Sequence, residues 1–376
     1  GLNEKQTWNG SLNIRESLES IKNHRKPSIN IMNSSERLQI GTLRSIGRKI
    51  NRSRCQSSPS ARLPTFLIAE QSARRDGEVG SRWFSDSSVS KAFDRDLKQK
   101  QRDNAARSAK AWRSDDEAVD YNYFRKEMAY RLVDRLDDII RIEGFPLALD
   151  IGSGSGQIYE AICSDDAFEG EGGIGGVRKL VMLDSSDGML NFKEIEDVEG
   201  SHRCGAYKLN ADEEDTLPFP DGTFDLVMSS QSIHWVNDLP KLFKEVFRVL
   251  KPDGCFMFSM IGGATLPELR ITLTLAELER EGGVGAHVGP FVELSDVGAL
   301  MQNAGFSLPT IDIDTVKISY PNAFVLMEHL QRMGEGNTSL RRREHTGKDI
   351  FLAASCIYDE MYPVETEGDQ NRDIEA

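Results

Sequence analysis

The residues best suited to chemistry lie in three short stretches: a glycine-rich segment, an acid at a strand end, and a histidine–tryptophan pair. The first is Leu147–Ile151, an apolar run that contains Asp150 and is followed by Gly152, Gly154 and Gly156. Only glycine tolerates positive φ or lets a ligand touch the backbone. This spacing predicts a tight turn from a strand into a helix, facing a nucleotide-type ligand. A plain glycine-rich turn is the alternative.

The second stretch is the apolar run Lys179–Asp184, which also ends in an acid. In nucleoside sites an acid at the tip of the second strand accepts hydrogen bonds from ribose hydroxyls. Asp184 lies 28 residues beyond Gly156, and the Gly-rich insertion Gly170–Gly176 can absorb the excess separation. The pattern therefore favours a ribose contact for Asp184 over the alternative, a simple helix cap.

The third stretch, His234-Trp235, follows a predicted strand at 223–230. His234 could be a general base or a metal ligand, and a packed pocket-wall imidazole is the alternative. Trp235 could line an acceptor pocket and stack on a guanidinium, or simply pack. The six histidines are too scattered for a site of two histidines and one carboxylate, so no metal site is predicted.

The elements that must position these residues read as an α/β fold. Strands alternate with helices across 146–262, which predicts a doubly wound parallel sheet with its cleft at the carboxyl ends of the strands. A helical arm is predicted at 85–145, with helices at 93–111 and 120–140. The region 263–361 is predicted to form a lid and further sheet elements: helices at 266–280, 295–303 and 323–333, and a strand pair, Leu308–Asp314 with Val316–Tyr320.

Composition excludes several classes of protein. The 376 residues carry a net charge of −14, which argues against nucleic acid as a partner. No apolar run reaches the roughly 18 residues of a membrane span, so no transmembrane segment is predicted. The five cysteines are odd in number and contain no C-x-x-C pair, which indicates a reducing compartment.

The first 84 residues differ from the rest in charge. They hold 15 of the 46 Lys and Arg but only 7 of the 60 Asp and Glu, so the remainder carries −22. An Arg- and Ser-rich leader poor in acids is typical of an organellar transit peptide. Arg82-Trp83-Phe84-Ser85 resembles a site cut by the mitochondrial processing protease. We therefore expect 1–84 to be a disordered leader with upstream sequence before Met32; a disordered basic arm is the alternative.

Several of these motifs together resemble the class I S-adenosylmethionine-dependent methyltransferases. They are the Asp150–Gly156 segment, Asp184 with Met189, the acidic segment before Leu217-Pro218-Phe219, and Lys251-Pro252-x-Gly254. The resemblance implies a Rossmann-like fold that binds S-adenosylmethionine. It implies cofactor contacts from a set of ten residues: Asp150, Gly152, Gly154, Gly156, Asp184, Ser185, Met189, Asp212, Glu213 and Ser229.

Longer motifs resemble one branch of that family, the mitochondrial arginine-hydroxylases that act in complex I assembly. They include 229–240, Thr265-Leu266-x-Glu268-Leu269-Arg270 and Met333-Gly334-Glu335-x-Asn337. The resemblance implies modification, by hydroxylation or methylation, of an arginine on a matrix-arm subunit of NADH dehydrogenase. It places the protein in the matrix or on the matrix face of the inner membrane, with possible peripheral membrane association. His234 and Trp235 are the candidate catalytic residues; Asp238, Glu268 and Arg270 are the candidate substrate contacts.

Two alternatives and one departure accompany this resemblance. The His-Trp segment also resembles the malonyl-carrier methyltransferases of biotin synthesis, which are small-molecule methyltransferases. A non-catalytic assembly chaperone is the third possibility. The family continues into a final strand, whereas residues 362–376 form a polar tail that we expect to be disordered, which would leave a sheet edge exposed.

Overall fold

The computed structural model describes residues 65–70, 91–112, 120–139, 141–164, 172–194 and 204–363. Its strands are β1 Thr65–Glu70, β2 Leu147–Ile151, β3 Lys179–Asp184, β4 Gly205–Asn210, β5 Phe224–Ser230, β6 Leu250–Met260 and β7 Ser307–Ile313. Its α-helices are α1 Arg95–Trp112, α2 Tyr123–Asp134, α3 Gln157–Ile162, α4 Asp187–Leu190, α5 Leu239–Val249, α6 Pro267–Glu281, α7 Leu294–Ala304, α8 Ala323–Arg332 and α9 Lys348–Met361.

The described strands form one sheet in the order β4-β3-β2-β5-β6-β1-β7. The five strands from β4 to β6 are parallel, and β1 runs antiparallel to both of its neighbours. The order reverses between β2 and β5, so the carboxyl ends of these two strands border a crevice. The doubly wound α/β fold predicted from the alternation of strands and helices is confirmed.

Each face of the sheet is covered by helices, as the near-continuous apolar strands require. One hydrophobic core packs α2 and α3 against the sheet through residues such as Met128, Leu132 and Ile158. The opposite core packs α5 and α7 through Phe243, Val246 and others, and a separate cluster joins α6, α8 and α9. This last cluster lies within 263–361, the region predicted as a lid, and its role as a lid stays a prediction. The sequence analysis missed α9, which packs against α6 through Ile350 and Ala354.

The strand β1 lies between β6 and β7, with Thr65 opposite both Met260 and Ile313. Without it the backbone groups of both neighbours would lack ladder partners there. The predictions of disorder at residues 65–70 and of an exposed edge at this position are therefore wrong. The predicted start at Met32, the cleavage motif Arg82–Ser85 and the tail beyond residue 363 lie outside the described residues.

The predicted strand pair after α7 is half wrong. Ser307–Ile313 is a strand, but 314–320 has no regular secondary structure and β7 pairs with β1 instead. The alternating apolar residues of that stretch are used in packing: Val316 contacts the core beside α2, and Tyr320 contacts the α6–α8–α9 cluster. Alternation alone cannot distinguish these two uses.

The amino-terminal end of α1 is fastened to the loop after β5. The Oδ1 atom of Asn237 accepts hydrogen bonds from the backbone N–H groups of Ala92 and Phe93, each at 2.8 Å. The ring of Phe93 packs edge-on against Trp235, with centroids 5.2 Å apart. Two side chains from one loop thus set where the helical arm begins.

Replacing Asn237 by Ala should loosen α1, because two part-buried N–H donors lose their shared acceptor. An unsatisfied buried donor costs about 1–3 kcal/mol. We expect a lower melting temperature and faster amide hydrogen exchange across 95–112, measured by mass spectrometry. Asn104→Ala, at an exposed asparagine on the same helix, is the matched control. Unchanged exchange in α1 for Asn237→Ala would contradict this account of the anchor.

Candidate cofactor and substrate site

The glycine segment turns the chain from β2 into α3 through three left-handed residues. The φ angles of Gly152, Gly154 and Gly156 are +66°, +56° and +90°. A Cβ atom on Gly152 would lie 2.0 Å from the Oγ atom of Ser232, so the side chain of Ser232 occupies the space that a larger residue would need. The tight turn predicted from the glycine spacing is confirmed.

Asp184, at the end of β3, ties this loop to the neighbouring strand. Its Oδ2 atom accepts the N–H of Gly154 at 2.9 Å, and its Oδ1 atom accepts that of Ser186 at 2.8 Å. The carboxylate is fully buried and has Arg102 Nη1 at 3.6 Å. Asp184 therefore lies at the carboxyl end of β3, one strand from the switch point between β2 and β5, and its contact with a ribose stays a prediction.

Asp150 lies deeper in the same crevice and has no such partners. Its side chain is fully buried, and neither carboxylate oxygen makes a hydrogen bond within the described part of the chain. Burial, and next the charge of Asp184, raise the pKa of Asp150 well above its usual range. Burial beside the glycine loop thus favours the protonated form of this carboxyl.

The remaining cofactor candidates have defined places around this crevice. Met189 is buried and lines a narrow cleft with Gly152 and Gly154. The Oγ of Ser229 donates to the carbonyl of Ile151 at 2.7 Å, and the carbonyl of Ser185 accepts the side-chain amide of Gln99 at 2.7 Å. Ser229 therefore supports the end of β2.

The acidic candidates after β4 face a helix. Arg95 of α1 pairs with Asp212 at 2.6 Å and with Glu213 at 2.8 Å, and the side chain of Glu213 is fully buried. In this structure these two carboxylates balance a buried guanidinium. The contact with the cofactor that the resemblance implies for Asp212 and Glu213 stays a prediction.

Sequence reasoning missed that α1 forms one wall of the cleft. Arg95, Lys98 and Arg102 recur at spacings of three and four, one face of a helix, and all three are nearly buried. Arg102 lines the narrow cleft together with Gly152, Gly154 and Gln231. The spacing of three cations on one helix face was the available signal.

The His234-Trp235 pair lies in a 3₁₀ turn directly after β5 and meets a second charged cluster. The indole N–H of Trp235 donates to Glu335 Oε2 at 2.7 Å. Lys98 Nζ lies 3.4 Å from the centre of the Trp235 ring and 3.6 Å from the same carboxylate. Arg125 of α2 also pairs with Glu335.

Charge fixes the protonation of this cluster. Burial would raise the pKa of Glu335, but Lys98 and Arg125 outweigh it and hold that pKa well below its usual range. Burial lowers the pKa of His234, so its imidazole is neutral at pH 7. His234 Nε2 is 3.9 Å from Glu335, too far for a hydrogen bond, and neither ring nitrogen makes one within the described residues.

A large cavity of about 1950 Å³ lies on the other side of α1. Trp235, Glu335 and Glu268 line it, together with aromatic side chains of the lid such as Phe291, Tyr320 and Tyr358. Its volume exceeds the 300–1,000 Å³ that is typical of small-molecule sites. An acceptor larger than a small molecule therefore fits it.

The three predicted substrate contacts fall in different places. Glu268 lines the large cavity. Arg270 is on the same helix and donates from Nη2 to the carbonyl of Gly289 at 3.3 Å. Asp238 is the N-cap of α5, accepting the N–H of Lys241 at 3.0 Å, and it lies outside the cavity lining. Of these three predicted contacts, Glu268 alone is part of the cavity wall.

Two features are absent from the described part of the chain: a cluster of metal ligands and a membrane-spanning helix. Within 65–70, 91–112, 120–139, 141–164, 172–194 and 204–363, no group of three or more His, Cys, Asp or Glu side chains is arranged to hold a metal ion. In the same part of the chain, no helix combines the length and the apolar character needed to cross a bilayer.

The family model for the methyltransferase domain matches residues 149–258, which run from β2 to β6. Among curated proteins, "Malonyl-[acyl-carrier protein] O-methyltransferase" of Nitrosospira multiformis is 31% identical over 171 residues, covering 45% of this chain and 54% of that protein. This match spans less of both chains than those with another group of relatives.

That group carries the name "Arginine-hydroxylase NDUFAF5, mitochondrial". The rat protein is 42% identical over 273 residues, covering 73% of this chain and 72% of its own length. The human protein is 40% identical over 311 residues, covering 82% and 81%. Since these matches extend from the helical arm to the lid, well beyond the methyltransferase domain, this chain belongs to the family of the NDUFAF5 arginine-hydroxylases.

Proposed function

We propose that this protein is a mitochondrial enzyme that binds S-adenosylmethionine and modifies an arginine of a matrix-arm subunit during assembly of complex I. The observation that carries the proposal is the position of the turn after β5. Ser232, the residue directly before the turn, contacts Gly152 of the glycine loop. Trp235, the last residue of the turn, lines the large cavity. One short segment thus joins a cofactor site to a site large enough for a protein segment.

The residues around the glycine loop fit the proposed cofactor. A glycine turn of positive φ after β2, an acid at the end of β3 and the unpartnered buried acid Asp150 are what a nucleoside with an amino-acid tail would use. Bound there, S-adenosylmethionine supplies an activated methyl group on a sulfonium. Asp184 would accept the ribose hydroxyls, and Asp150 would accept from the ammonium of the tail.

The acceptor side fits an arginine. A guanidinium prefers a carboxylate with a planar, bidentate geometry and stacks on aromatic rings. Trp235 and Glu268 offer these groups in the wall of the large cavity. Glu335, in the same wall, already holds the guanidinium of Arg125, so Glu268 is the carboxylate for a substrate guanidinium.

His234 gives the site a group that can take up a proton. Its neutral imidazole has two ring nitrogens without hydrogen bonds inside the described chain, and it is packed against Trp235 and Phe291. A buried neutral imidazole next to a guanidinium can accept a proton from a substrate N–H as that nitrogen is methylated. Hydroxylation would instead add one oxygen atom and needs an oxidant in addition to these side chains.

Two alternatives remain as outcomes of experiment. A small-molecule methyltransferase would act on a carrier-bound acid, as the name of the Nitrosospira multiformis relative states for that protein. A non-catalytic chaperone would keep the cofactor site for structure alone. The extent of the NDUFAF5 match and the size of the acceptor cavity favour the arginine-modifying enzyme.

Mass spectrometry of the matrix-arm subunits, from cells with and without this protein, separates these functions. We expect one arginine to lose a mark in the knockout: one oxygen atom for a hydroxylase, one CH₂ unit for a methyltransferase. Re-expression of Glu268→Gln should not restore the mark, because its uncharged amide binds a guanidinium less tightly, while Asp238→Asn at the α5 cap should restore it. Failed assembly with every arginine mark intact would contradict enzymatic action and leave the chaperone.

The buried acid Asp150 makes a prediction about stability and pH. Because the pKa of Asp150 is raised in the folded chain, the folded state binds the extra proton, and this side chain costs stability increasingly as pH rises. Asp150→Asn should therefore raise Tm at pH 7 without cofactor by a few degrees, since about 1 kcal/mol is worth roughly 2–4 °C. The gain should shrink as pH falls and vanish only below the unfolded-state pKa of about 4, where the carboxyl is protonated in both states.

Scanning calorimetry between pH 5 and 8 measures this difference. Asp225→Asn is the matched control, because Asp225 is also buried but is paired with Lys251 at 2.9 Å and should lose stability on substitution. A lower Tm for Asp150→Asn at pH 7 would show that this carboxylate is charged and partnered in the folded chain.

A further inference from the structure

The first half of α1 is fastened to the rest of the fold by side-chain hydrogen bonds. Lys98 Nζ donates to the carbonyls of Gly334 and Gly336, both at 3.1 Å. Asp103 Oδ1 accepts the N–H of Gly188 at 3.1 Å and the hydroxyl of Ser186 at 2.5 Å. Asn237 holds the two residues just before the helix begins.

Arg102 is held much less completely. Its side chain is 3% exposed, yet it makes one hydrogen bond, from Nη2 to the Oγ of Ser232 at 2.9 Å. Nη1 is 3.6 Å from Asp184, and neither Nε nor Nη1 makes a hydrogen bond within the described residues. A guanidinium has five N–H donors, and leaving several of them unused in a buried site is costly.

The surroundings of Arg102 indicate what would satisfy these donors. The side chain lines the narrow cleft beside Gly152 and Gly154, which has room for about one water molecule. Asp184 already accepts two backbone N–H groups. A second cation, Arg125, lines the same cleft, and so does the unpartnered Oε1 of Gln231. Because Arg125 pairs with Glu335, the unused N–H donors of Arg102 are the ones beside the glycine loop that match an anion.

We propose that Arg102 binds the carboxylate of the cofactor's amino-acid tail by exchanging partners. In this structure the guanidinium offsets the buried charge of Asp184. On cofactor binding the guanidinium turns to the tail carboxylate. This movement vacates the cleft and releases the Asp184 carboxylate to bind the ribose hydroxyls. This inference rests on the proposed S-adenosylmethionine site. It makes α1, which lies outside the matched methyltransferase domain, a part of cofactor recognition.

The exchange is tested with two nucleosides that differ in the tail. S-Adenosylhomocysteine has the carboxylate, whereas 5′-methylthioadenosine has the same nucleoside and thioether without it. Isothermal titration calorimetry of the full chain should show Arg102→Met weakening S-adenosylhomocysteine by about 10- to 100-fold, the worth of a charge-assisted pair. Binding of 5′-methylthioadenosine should stay within about threefold of the unsubstituted chain.

Two further variants keep the test interpretable. Arg102→Lys retains the charge that offsets Asp184 but lacks the bidentate fork, so it should fold and lose part of the affinity for S-adenosylhomocysteine alone. Arg107→Met, at an exposed arginine on the same helix, should leave the affinity for both nucleosides unchanged.

The remaining outcomes each contradict the proposal in a different way. Equal losses for both nucleosides in Arg102→Lys would mean that Arg102 acts through Asp184 or through the fold. Unchanged affinity for S-adenosylhomocysteine in the Arg102 variants would show that Arg102 does not bind the tail. Tighter binding would show that Arg102 blocks the site. If the unsubstituted chain binds neither nucleoside, the cofactor assignment itself fails, and this inference fails with it.

Discussion

The structure depends on the compensation of buried charge at the carboxyl ends of the strands. Asp184 and Glu213 are fully buried, and each faces an arginine of α1 rather than solvent. A buried carboxylate without a cation costs several kcal/mol, so the acids and the helix require each other. The helical arm is therefore as much a part of the cofactor region as the glycine loop.

The same constraint shapes the acceptor side. Glu335 draws Lys98 from α1, Arg125 from α2 and the indole N–H of Trp235 to one point. The turn that carries His234 is thereby fixed between the narrow cleft and the large cavity. Asp150 is the exception among these buried acids: in the described part of the chain neither of its oxygens has a hydrogen-bond partner, and burial raises its pKa.

What the sequence could predict was set by how local each signal is. The glycine turn, the strand-end acids and most helices follow from residues within one element of each other, and they agree with the structure. The basic face of α1 finds its partners far away in sequence: Arg102 bonds Ser232 across 130 positions, and Lys98 bonds Gly334 across 236. No periodicity reports such pairs. The strand Thr65–Glu70 was not predicted, because the basic sequence around it indicated a leader.

Calorimetric titration of S-adenosylmethionine into the full chain and into Asp184→Ala tests the central claim, that the carboxyl ends of β2 and β3 hold this cofactor. Asp184 places a carboxylate where the ribose hydroxyls would lie and also ties down Gly154. We expect binding by the unsubstituted chain and a loss of at least about tenfold in Asp184→Ala, the worth of a hydrogen bond to a charged group. Absence of binding, or equal binding by both proteins, would contradict the account.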